Sequence, residues 1–138
     1  SFAYGEKVIN DKKISGYIDP SGFFIEKDYA DKENMKKLSI QVYGWQKNFR
    51  QRLSEILTLQ KDFEFDLVKI SFSPNGFLIL EEKDLNIILM GTNPNLIRNQ
   101  LQIIDNLKYQ LNKTNFSKSI DNIDLTDPNH PKIKVFKP

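Results

Sequence analysis

A chain of 138 residues is long enough for one domain with a hydrophobic core, and 39% hydrophobic with 12% aromatic content argues against disorder. Its 20 basic and 18 acidic side chains give a formal charge of +2, too even and too dispersed to point to nucleic acid or an anionic membrane. Without cysteine there is no disulfide, thiolate nucleophile or cysteine metal site.

The chain opens on strand and turn: KISGYID runs into Pro20-Ser21-Gly22 and then FFIEK, which predicts a hairpin over residues 14 to 27. The polar segment from Asp31 to Lys37 fits one or two helical turns. LSIQVYG alternates Leu38, Ile40 and Val42 with Ser39, Gln41 and Tyr43, the period of a half-buried strand. Trp45, Phe49, Leu53, Ile56 and Leu57 then recur at helical spacing and predict an amphipathic helix over 45–59, with Trp45 as its first large core residue.

FEFDLVKISFS reads as a long strand ending at the turn Pro74-Asn75-Gly76, and FLILEE and LNIILMG as two more. Thr92-Asn93-Pro94-Asn95 offers an asparagine cap with proline at the first helical position, opening a helix over 95–111. Two short runs, 120–125 and 132–136, close the chain. Seven or eight strands and two amphipathic helices predict an α+β domain with the helices packed on a mostly antiparallel sheet.

Catalytic chemistry finds little to stand on. His130, the only histidine, lies between Asn129 and Pro131 and reads as a surface turn residue without an orienting partner. Glu81-Glu82 and Asp121 with Asp124 read as solvated charges: adjacent or three apart, each pair splits across the two faces of a strand. The six glycines form no phosphate-binding loop, and the residues imply no cofactor and no metal. The longest apolar runs, FLIL and IILM, are four residues each, against the roughly 20 needed to span a bilayer. Because the chain begins on Ser1 without an initiator methionine, the expectation is a piece of a longer protein.

The last run is an edge-strand candidate. Ile133 and Val135 share one face, expected to pack inward, while Lys132, Lys134 and Phe136 share the other. Pro131 cannot donate a ladder hydrogen bond, and lysines commonly guard sheet edges. Such a strand is either simply protected or receives an extended segment of a partner.

The order of these segments resembles the extracytoplasmic β domain of the FtsQ/DivIB family of bacterial cell-division proteins. GYIDPSGFFI is similar to the family's hairpin, LNIILMG with the following helix to its strand-glycine-helix segment, and IDNIDLTDPNHPKIKVF to its closing strand, turn and strand. The resemblance implies an FtsQ/DivIB-like β domain over 14–138, with residues 1–13 as the end of a preceding POTRA domain. It further implies a non-enzymatic divisome scaffold on the extracytoplasmic side of the plasma membrane at the septum. A single transmembrane helix outside this sequence would anchor it. The implied partners are FtsB/DivIC-like and FtsL-like proteins, received at Asp127, Lys132, Ile133, Lys134, Val135 and Phe136. Two other readings stay open: an adaptor domain of another extracytoplasmic complex, and a small enzyme acting on cell-wall saccharides.

Overall fold

Asn10 and Asp11 both take left-handed backbone angles, φ 50° and 64°, in a two-residue turn suited to the twist of a tight hairpin. The hairpin joins β1 (Ala3–Ile9) to β2 (Lys12–Ile18), in register from Ala3 opposite Ile18 to Ile9 opposite Lys12. The computed structural model describes residues 3–26, 40–114 and 120–136. After β2, Asp19 organises the turn: its carbonyl accepts from Gly22 N–H and its carboxylate from Phe23 N–H. β3 (Phe24–Glu26) then returns antiparallel to β2, the hairpin expected around Pro20-Ser21-Gly22.

β1 lies within this same sheet, flanked by β2 and by β4 (Gln41–Tyr43). The division expected between residues 13 and 14 falls inside β2. Of the strand expected over 38–44, residues 41–43 take strand form; Leu38 and Ser39, like the turns expected over 31–37, lie outside the described residues. Gly44 ends β4 with φ +75°, and a Cβ there would come within 2.0 Å of the Phe72 carbonyl oxygen, so only glycine fits.

The first helix starts later than its apolar periodicity suggests. α1 spans Arg50–Leu59 behind a 3-10 turn over Lys47–Phe49. Trp45 precedes both: its indole donates to the Gly22 carbonyl at 2.8 Å and packs against Phe24 at 5.4 Å between ring centroids. That bond fixes Trp45 to the β2–β3 loop, which is why it does not begin the helix.

β5 (Leu67–Phe72), β6 (Leu78–Glu82) and β7 (Asn86–Gly91) form an antiparallel meander, β5 starting four residues inside the expected run. The asparagine cap is present: Asn93 accepts from Asn95 N–H at 2.9 Å, and Pro94 opens a 3-10 turn leading into α2 (Ile97–Asn112). With β8 (Ile120–Asp124) and β9 (Lys132–Val135) the described residues form a nine-stranded sheet of order β3-β2-β1-β4-β5-β6-β7-β8-β9.

The sheet is mostly antiparallel; the contacts β1–β4, β4–β5 and β7–β8 are parallel. α1 and α2 connect the last two of these pairs, as parallel neighbours require a crossover. Both helices press their apolar stripes on one core: Leu53, Ile56, Ile97, Leu101 and Ile104 meet Val42, Ile70, Leu80, Ile88 and Ile123, all fully buried. Burying a side chain of this size stabilises by about 1.5–3 kcal/mol, so these positions hold the helices in place.

Polar side chains fix the helices further. Arg52 of α1 donates to the carbonyls of Gly76 at 2.7 Å and Gly91 at 3.0 Å, and its burial lowers its pKa. Gln100 of α2 donates to the carbonyls of Met90 and Leu125, at 2.7 and 2.8 Å. Among the described residues no helix is long and apolar enough to cross a membrane.

Candidate docking site

β9 is the last strand in the sheet order, and all four of its residues are exposed. Among the described residues it pairs antiparallel with β8 alone: Lys132 opposite Asp124, Ile133 opposite Ile123, Lys134 opposite Asn122 and, past a register break, Val135 opposite Ile120. Pro131 stands just before the strand, where its missing N–H costs the ladder nothing.

The inward packing expected of Ile133 and Val135 does not occur. They are on the expected face, opposite the buried Ile123 and Ile120, yet they remain 48% and 44% exposed. The helices explain the difference. Asp105 accepts from Glu64 N–H at 2.8 Å, and Arg98 shares a cleft with Arg50, Ser54 and Thr58, so this flank of α2 turns toward α1. On the other flank Gln100 reaches Leu125, and Ile103 and Leu107 follow it at helical spacing, only partly buried. Among the described residues, no helix lies over β9. Ile133 and Val135 thus keep an exposed apolar face on the strand, while Ile103 and Leu107 on the helix are only partly buried. Phe136, immediately after β9, is 54% exposed.

The turn before β9 is held by Asp127. Its carboxylate accepts from Asn129 N–H at 3.1 Å, and its second oxygen lies 3.0 Å from His130 Nδ1. The His130 contact first, then the Asn129 N–H, hold the Asp127 carboxyl below its ordinary pKa. His130 itself is exposed, as its place between Asn129 and Pro131 suggests. At the end of β8, Asp124 accepts from Thr126 through both hydroxyl and N–H, which together keep its pKa low; nearby Lys132 adds to the effect. Asp127 and Lys132 to Phe136 therefore form one turn and one edge, adjacent in space as in sequence.

A second cluster was misread from sequence. Glu81 and Glu82 do point to opposite faces of β6, but Glu82 is not solvated: it is 1% exposed, with Lys108 Nζ at 2.7 Å. The Lys108 ammonium also reaches Asp84 at 2.6 Å. The signal lay in α2, where Lys108 falls four residues after Ile104 on the buried stripe. A lysine there requires a carboxylate beneath it. The cluster holds α2 to the β6–β7 turn.

Elsewhere, an open cleft of about 690 Å³ at the start of α1 is lined by Gln46, Lys47, Asn48, Arg50 and Gln51. No group of three or more histidine, aspartate or glutamate side chains among the described residues is placed to hold a metal ion. No protein-family model matches the chain, and a search of curated proteins finds no match.

Proposed function

We propose that the chain is a non-enzymatic docking domain of the FtsQ/DivIB type, a divisome scaffold that receives FtsB/DivIC-like and FtsL-like proteins at β9 during septum formation. The observation that carries this reading is the exposure of β9, an edge strand whose Ile133 and Val135 stand half in solvent on the face that is core elsewhere. Strand addition suits such an edge: backbone pairing supplies affinity, and alternate side chains supply specificity. A tenth strand beside β9 would extend the face that carries Ile133 and Val135 and set its own apolar side chains next to theirs. The resemblance of the hairpin, strand-glycine-helix and closing segments supports the choice of partner class. Location on the extracytoplasmic side of the bacterial plasma membrane, anchored by a helix outside this sequence, belongs to the same proposal.

The test is a titration of isotope-labelled 1–138 with the extracytoplasmic part of an FtsB-like or DivIC-like protein from the same organism. Amide signals should shift over 127–136 and little elsewhere. A silent titration between two folded partners would overturn the reading. Phe136→Ala should weaken binding about fivefold to tenfold, a cost of roughly 1 kcal/mol that marks a contributing interface side chain. Its unfolding free energy should change by less than about 0.5 kcal/mol, because the ring is exposed.

A further inference from the structure

We infer that the strand received by β9 presents an acidic side chain opposite Lys134, with apolar side chains on its other face against Ile133 and Val135, and that a second copy of this chain does not fill the edge. The inference rests on the docking role proposed for β9. It follows from charge accounting along the cross-strand rows.

Lys132 and Lys134 point to the sheet face away from the helices, because Ile133 between them shares the helix side with Ile123. The two lysines differ in what lies inward of them. Lys132 is opposite Asp124, which compensates its charge. Lys134 is opposite Asn122, and the next residue in that row is Ile87 of β7. The first carboxylate in the row is Glu81 of β6, itself opposite Lys69. Three strand spacings amount to about 14 Å, beyond the roughly 10 Å over which exposed charges act at moderate salt. Lys134 therefore has no carboxylate directly opposite it: Asp121 is the inserted residue at the register break of β8, Asp124 lies diagonally and faces Lys132, and the outward neighbour of Lys134 is whatever pairs with β9.

A second copy fits badly. Twofold antiparallel pairing of two edges keeps each face on its own side. Registers centred on 132, 133 or 134 therefore set Lys132 against itself, Lys132 against Lys134, or Lys134 against itself. Like charges directly opposite one another destabilise a strand pair, whereas opposite charges add to it. The same lysines that discourage self-association thus select an acidic occupant.

Three synthetic nonapeptides test this, alternating valine with glutamate, threonine or lysine, each titrated at low salt into labelled 1–138 while the amides of 132–136 are followed. The valine–glutamate peptide should bind about two- to fivefold tighter than the valine–threonine peptide, and the valine–lysine peptide should bind weakest. Added salt should shrink the lead of the acidic peptide. Lys134→Glu, at an exposed position, should invert the order of the charged peptides. Equal binding of the acidic and neutral peptides, or an unchanged order in Lys134→Glu, overturns the inference while leaving docking at β9 intact. Movement of the 132–136 signals on concentrating the chain alone overturns it in favour of a second copy. If none of the three peptides moves those signals, strand addition at β9 fails as well.

Discussion

Lys108 is only 3% exposed, and an ammonium group survives there because Glu82 and Asp84 both accept from it. Glu82 in turn accepts from the N–H groups of Asp66, Asp84 and Leu85, at 2.7, 2.7 and 2.9 Å. Each charge is thus both paired and hydrogen-bonded, which is what makes burial tolerable. Lys108→Met would leave the Glu82 carboxylate buried without its cation, at a cost of about 3–5 kcal/mol. Urea unfolding of the variant measures this, and a loss below about 1 kcal/mol would mean that the pair contributes little. Adding Glu82→Gln to Lys108→Met should recover part of the loss, since the stranded charge is then gone.

The start of α2 was written locally and appears as written. Asn93 caps, Pro94 follows, and the apolar stripe begins at Ile97. Asn93→Ala should cost about 1 kcal/mol, read as a lower thermal midpoint with unchanged helix content; an unchanged midpoint would show that Pro94 and the packing of Ile97 suffice. The start of α1 was not written locally. Its apolar spacing begins at Trp45, but the indole is held by a carbonyl 23 residues earlier, and the regular helix waits until Arg50. Periodicity records which side chains face apolar surroundings, and Trp45 does so without being helical. β9 follows the same logic. Alternation gave the two faces correctly, but whether the apolar one is covered depends on how far α2 reaches across the sheet.

Across the molecule, the ionisable groups set a pH window. The hydrogen bond from Lys108 lowers the pKa of Asp84; burial opposes it, and the charges of Lys108 and Lys83 add to the lowering. This stabilisation is present above the ordinary aspartate range and is lost as pH falls through the lowered value. Asp124 and Asp127 behave alike. Burial by itself would lower the pKa of Lys108, but its hydrogen bonds to Asp84 and Glu82, with their charges, outweigh this and raise it. That contribution is complete below the ordinary lysine range and is lost as pH rises through the raised value. Stability should therefore be flat between about pH 5 and pH 9 and fall on both sides, given ordinary values near 4 and 10. In Lys108→Met the alkaline fall should shrink. If it persists at full size, the alkaline limit belongs to other groups.

Much of this fold could be read from short-range pattern. The turns at Pro20-Ser21-Gly22 and Pro74-Asn75-Gly76, the capped second helix, the alternating strands and the lysine-guarded tail all depend on neighbours within a few residues. Those neighbours fix dihedral angles and the side on which each side chain stands. Partners distant in sequence are another matter. That β1 lies between β2 and β4, that Lys108 meets Glu82 across 26 residues, and that Ile133 and Val135 stay half in solvent all follow from which surfaces the packed helices cover. Hydrogen-bonded ladders accept any strand of suitable length, so strand order was settled when the apolar faces of α1 and α2 were buried together. That burial left β9 as the edge of the sheet among the described residues.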